Sequence, residues 1–199
     1  IIHILFIIVF FLTTHAKSLD KFNRAERVSD YFSGILLLNE NKYEESFKFL
    51  KKLNGLESSH SNYSIKYLYS QINSGNFKTA YNYSKKLEKQ KMSNFESYFI
   101  TGVYYLKNSN RALAQKYFLK AKNFNSKFIL NNYVSSSVYN LSNLANLDFD
   151  QANSELKKLD KRFENLKKIQ KVFIGCYFNS PNTENLFEQL TSDEKTDFS

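Results

Sequence analysis

The stretch GNFKTAYNYSKKL, Gly75–Leu87, sets Phe77, Ala80, Tyr81, Ser84 and Leu87 three or four residues apart, the spacing of one helix face. One amphipathic helix says little about a fold, whereas a recurring one fixes the architecture. Equal steps of thirty-four positions from Ala80 reach Ser46 in one direction and Ala114 in the other, and all three are small. The flanks keep the register. Three residues before each small position stand Tyr43, Phe77 and Arg111, and four after stand Leu50, Ser84 and Phe118. Seven after stand Leu53, Leu87 and Ala121, and twelve before stand Gly34, Leu68 and Gly102. The segments NENK, NSGN and KNSN lie just ahead of the second helices and are rich in turn-forming residues. Each unit therefore reads as helix, short polar turn, helix.

A fourth unit is expected around Ala152, with Phe149, Leu156 and Leu159 about it. Its small position falls later than an equal step from Ala114 would put it, which implies about four residues inserted ahead of its second helix. Beyond it, FENLKKIQKVFIGCYF and, after Pro181, NTENLFEQL read as a closing helix pair, residues 161–190, followed by a polar tail, 191–199. Upstream, residues 17–27 read as a short lead-in helix and residues 28–160 as the repeats. One helix pair cannot bury its apolar face alone, and stacking joins such faces into one core. Gly34 and Gly102 each cost about 1 kcal/mol of helix propensity relative to Ala, which fits a neighbouring helix passing close to the backbone.

The composition agrees with an all-α chain. The protein has 199 residues, one proline and five glycines, so few positions force a helix to break. The 28 Lys and Arg against 19 Asp and Glu leave a net charge of +9. The lysines are spread along the chain, with modest clusters at Lys85–Lys91 and Lys157–Lys171, and no Arg-rich segment or zinc-finger spacing accompanies them. A solvated basic face is thus favoured over a nucleic-acid footprint. The single cysteine, Cys176, excludes an intramolecular disulfide and sits in the apolar run VFIGCYF, where it reads as a buried small hydrophobe.

The first sixteen residues differ in kind. IIHILFIIVFFL is apolar except for His3, and Thr14 and Ala16 are small residues two apart, the pattern of a secretory signal peptide cut after Ala16. The run is too short for a stable membrane span, although an uncleaved anchor stands as the alternative. It lacks an initiating Met and a basic flank, so the sequence is expected to begin a few residues short of the natural start.

With its repeat period and its small positions, the chain resembles the tetratricopeptide repeat family. The third unit matches best through Tyr98, Gly102, Tyr105, Ala114, Phe118 and Ala121. The first supplies Gly34, Leu37, Tyr43, Ser46 and Leu50. The second supplies Phe77 and Ala80 but carries Leu68 where a small residue is usual and Ser84 where a large one is. No unit has the usual closing proline; Ser58, Met92 and Ser126 stand there. The resemblance implies a right-handed α-solenoid. It also implies a groove lined by the first helices, carried here by Tyr31, Ile35, Ile65, Tyr69, Phe99 and Val103, with Glu96 and Leu106 on the same face. Such a lining suits apolar anchors of a protein or peptide and not a clamped terminal carboxylate. Alternatively, terminal helices fold over these residues and make them core.

Nothing points to catalysis. After cleavage the only histidine is His60, in the turn-like ESSHSN, which reads as a solvated loop residue. No phosphate loop, metal-ligand spacing or nucleophile elbow is present, and no cofactor or metal is expected. The arrangement is similar to exported tetratricopeptide proteins of bacteria, alphaproteobacteria especially. The expected function is a protein-interaction scaffold of the cell envelope, periplasmic or secreted. The alternative is a basic surface protein whose lysine-rich helices meet an anionic polymer or membrane.

Overall fold

The computed structural model describes residues 24–124 and 128–192. The expected signal peptide, most of the lead-in helix and residues 193–199 of the tail lie outside them. Every regular element among the described residues is helical. Helix α1 covers 24–39, so residues 24–27 run without a break into the first helix of the first repeat. Then follow α2 (Tyr43–Lys51), α3 (Ser61–Asn73), α4 (Phe77–Lys89), α5 (Phe95–Lys107), α6 (Arg111–Asn123), α7 (Ile129–Ser142), α8 (Phe149–Lys157), α9 (Glu164–Tyr177) and α10 (Thr183–Ser192).

The sequence period reappears as a period of helix starts. Helices α3, α5 and α7 begin at Ser61, Phe95 and Ile129, and α2, α4 and α6 at Tyr43, Phe77 and Arg111, the same interval throughout. The turns repeat with them. Asn41, Gly75 and Ser109 hold left-handed φ values of 60°, 78° and 59°. The following N–H, of Lys42, Asn76 and Asn110, donates back to the carbonyl five residues earlier at 2.8–2.9 Å. This is the Schellman ending, in which a left-handed residue lets the chain satisfy the last carbonyls of a helix and turn sharply away. The fourth unit breaks the pattern. Asn143, in the next register position, has φ −96°, and a short 3₁₀ helix, Leu144–Asn146, fills the connection before Asp148 caps α8. Helix α8 accordingly starts at Phe149, where the interval kept by α2, α4 and α6 would have started it at Ala145.

The contacts divide the chain into two compact units, meeting inside α4 between Tyr83 and Ser84. In the first unit α2 packs on α3. A Cβ on Gly34 would sit 2.7 Å from Leu50 Cδ2, and Ser46 Oγ donates to the Gly34 carbonyl at 2.8 Å. The small residues therefore let α1 and α2 meet almost backbone to backbone. Leu50, Leu53 and Leu68 are buried, and Tyr63 spends its hydroxyl on the Leu50 carbonyl at 2.9 Å. Phe47, Tyr63, Tyr67 and Tyr83 form a connected set of ring contacts, with centroids 4.9–5.8 Å apart. Burial pushes the hydroxyls of Tyr63 and Tyr83 well above the usual tyrosine pKa.

In the second unit α5 packs on α6, α6 on α7, α8 on α9 and α9 on α10. Phe118 is fully buried and fills the space left by Gly102, where a Cβ would stand 2.5 Å from the ring. Ala114 and Ala121 lie on the same buried face of α6. Gly175 does the same for the last helix pair, where a Cβ would meet Thr183 Oγ1 at 2.7 Å. A second core of Tyr133, Leu144, Ala152, Leu156, Leu159 and Ile174 joins α7, α8 and α9. Glu88, near the end of α4, ion-pairs with Lys85 and Lys120 and accepts from the Tyr117 hydroxyl at 2.8 Å, tying α4 to α6. Burial alone would raise its pKa, but the bonds from Lys120, Lys85 and Tyr117 outweigh it and hold the carboxyl at about 2.

Two local expectations are corrected. Cys176 is exposed. The VFIGCYF run is apolar all round, and α9 turns only Val172, Ile174 and Gly175 inward, leaving Phe173, Cys176 and Tyr177 outside. His60 is not a fully solvated loop residue either: it is half-buried just ahead of α3, its ring 5.1 Å from that of Tyr31.

Candidate functional site

The first helix of each repeat carries the residues expected to meet a partner, and each unit presents its own set. In the first unit, Tyr31, Ile35 and Ile65 are half-buried and Tyr69 is 50% exposed. Tyr69 packs edge-on against Tyr43 at 6.0 Å, so one side of its ring is held and the other faces solvent. Val28, Phe32 and Leu36 recur every fourth residue along α1 and are exposed.

In the second unit, Phe99 and Val103 of α5 are half-buried. Phe99 stacks on Phe95 at 5.7 Å and tilts against Phe118 at 5.8 Å, so it belongs partly to the joint between α5 and α6. Glu96, one turn ahead, is half-buried, and burial raises its pKa above the usual carboxylate value. The packing residues contrast with all of these. Gly34, Ser46, Ala80, Gly102, Ala114, Phe118 and Ala121 are all buried, while none of the six face residues is.

The second unit also holds a pocket of about 340 Å³ that begins where that face ends. Leu106, at the end of α5, is 44% exposed and forms one wall. Val138, Leu141 and Leu144 form the apolar floor, Tyr177 of α9 closes one side, and Arg111 stands at the start of α6. Arg111 has no ion-pair partner among the described residues. The arrangement can take one apolar side chain, with a carbonyl or carboxylate beside it for the guanidinium. Leu106 is legible from its repeat position. Arg111 belongs to no motif, although it stands where the preceding repeats carry Tyr43 and Phe77, and that exchange of a ring for a cation is the available signal. Val138 and Leu141 stand at the end of α7, just ahead of the connection where the period slips, and Tyr177 stands beyond it; no sequence signal marks them.

No group of three or more His, Cys, Asp or Glu that could hold a metal occurs among the described residues. None of their helices is long and apolar enough to cross a membrane.

No protein-family model matches the chain. No curated protein matches it either. Solved structures do. YrrB, described as a TPR protein with an unusual peptide-binding site, superimposes with a TM-score of 0.63 at 16% identity, over 91% of this chain and 94% of its own. Two crystal structures of MamA, one of a point mutant, give TM-scores of 0.61 and 0.60 at 13% identity, over 83% and 85% of this chain and 92% of theirs. At these identities the likeness establishes the fold, an all-α array of tetratricopeptide-like repeats.

Proposed function

We propose that this chain is a non-enzymatic interaction module that takes an extended or helical peptide of a partner protein on the apolar face of its first helices. In the second unit the partner's apolar anchor seats in the pocket between Leu106, Val138 and Leu141. The observation that carries this reading is the split in burial. The seven packing positions are sealed, whereas Tyr31, Ile35, Ile65, Tyr69, Phe99 and Val103, apolar or aromatic, all keep access to solvent. Held rings and leucines lose little side-chain freedom on binding, which suits them to recognition. The peptide-binding description of YrrB is consistent with this use of the fold.

The exported, cell-envelope setting rests on the apolar leader and the small residues Thr14 and Ala16. The alternative, capture of an anionic polymer by lysine-rich second helices, has weaker support, because Lys85 and Lys120 are already bound to Glu88 and Lys122 lies over the Tyr139 ring at 4.8 Å.

Crosslinking followed by affinity capture, comparing the wild type with a Tyr69→Asp, Leu106→Asp variant, tests the reading. Both side chains are substantially exposed, so the variant keeps its fold. Partners captured by the wild type are expected to be lost from the variant. Unchanged capture would remove both faces from the account.

A further inference from the structure

A second pocket, of about 450 Å³, lies between α8, α9 and α10 and shares no lining residue with the proposed peptide face. Its floor is apolar, formed by Leu156, Leu186 and Leu190. Its walls carry four ammonium groups, Lys157 from α8 and Lys167, Lys168 and Lys171 from α9. A single carboxylate, Glu164, opposes them, and it is engaged with Lys167 at 3.1 Å. The lining is therefore +3 in formal charge, four lysines against one glutamate. Lys157 and Lys171 are exposed and have no ion-pair partner among the described residues.

Like charges gathered around a low-dielectric floor repel one another, and an anion placed among them removes that repulsion. Two amides refine the ligand. Asn153 donates its side-chain N–H to the Phe149 carbonyl at 2.8 Å, and Gln189 donates to Asn185 at 2.9 Å. The amide oxygens of both residues remain as acceptors at the pocket wall. An acyl chain has no donor to offer them, whereas a peptide backbone does.

We infer that this pocket binds an acidic peptide segment, with one apolar side chain on the leucine floor and flanking carboxylates on Lys157 and Lys171. The site does not depend on the peptide face assigned above, and its test leaves Tyr69 and Leu106 untouched.

The experiment is a fluorescence-anisotropy titration of the full chain with a labelled peptide carrying carboxylates around a central leucine. A Lys157→Glu, Lys171→Glu variant is expected to bind at least about tenfold more weakly. A Lys89→Glu, Lys116→Glu variant, which changes net charge equally on exposed positions elsewhere, is expected to stay within about twofold. Replacing the peptide's leucine by serine is expected to weaken binding by about tenfold, a control that leaves the protein itself unaltered. Equal losses in the two charge variants, or equal affinity for the serine peptide, would overturn the site in favour of diffuse polyanion attraction. Vesicles of anionic phospholipid that bind through Lys157 and Lys171 while the peptide does not would overturn the choice of ligand.

Discussion

Gly102→Ala isolates the packing device on which the repeat depends. Two effects oppose each other at this site. Replacing a helical glycine by alanine gains about 1 kcal/mol of propensity. The new methyl would stand 2.5 and 2.6 Å from Phe118 Cε1 and Cδ1, roughly 1 Å inside ordinary contact. Phe118 is fully buried and rests against Phe99, so its ring cannot swing into solvent. Overpacking of this kind costs typically about 1–3 kcal/mol, and a clash with the flat body of a buried ring belongs at the upper end. The net expectation is about 1–2 kcal/mol of destabilisation, or a fall in Tm of about 2–8 °C for a chain of this size. Phe118→Ala alone should cost about 3–5 kcal/mol through the cavity it leaves. In that background the methyl has room, and Gly102→Ala should become neutral or stabilising by up to about 1 kcal/mol. Thermal and urea unfolding followed by far-ultraviolet circular dichroism give all four corners of the cycle. A Gly102→Ala protein stabilised in the wild-type background would refute the close approach of α5 and α6.

Other substitutions probe the remaining parts. Glu88→Gln should lower stability by about 1–2 kcal/mol at neutral pH, a value discounted from the full shift because the site is partly open to solvent. The folded pKa of Glu88 lies below its unfolded value, so this stabilisation is present above about 4.5 and lost as pH falls toward about 2. Urea midpoints of wild type and variant should therefore converge across that window, and a difference that persists unchanged at the acid end would exclude the network as its source. Ser109→Gly should stabilise by about 1 kcal/mol, because the left-handed φ of 59° is a strain for serine and none for glycine; a lower melting temperature would contradict the turn geometry. Ala114→Leu should destabilise by about 1–3 kcal/mol, since the side chain has no solvent access on the buried face of α6, and an unchanged Tm would displace the repeat register. N-terminal sequencing of the protein from the cell that makes it should begin at Lys17, and retention of residues 1–16 would favour the anchor.

The repeat is legible because its two physical requirements leave marks in composition. Close helix approach demands small residues at fixed intervals, and Ser46, Ala80 and Ala114 supply them. Sharp turns demand Asn, Ser or Gly, and Asn41, Gly75 and Ser109 fall in register. What fails to show is set by which way a helix faces, not by whether it forms. Cys176 sits in a run with no polar residue to mark the outside, so its exposure follows only from the packing of α9. Leu68 and Ser84, which depart from the usual sizes, exchange large for small at positions sixteen apart, and both are buried; a search for small residues at one position alone registers this as a defect. The smaller pocket gathers residues from both sides of the slipped connection at 143–148 and the larger lies wholly beyond it, where extrapolating the repeat period loses its register. Arg111 and Lys157 are visible as charges, but only the fold places leucines beside them.

The most direct test of the peptide-binding account is a titration with peptides selected on the immobilised wild-type protein, repeated with Leu106→Asp and at two salt concentrations. The account predicts selected peptides that share an apolar anchor, lose at least about tenfold in affinity to the variant, and change by less than about threefold between about 0.05 M and about 0.5 M salt. Binding that ignores Leu106→Asp and collapses as salt rises would contradict it and identify the chain as a polyanion-binding surface instead.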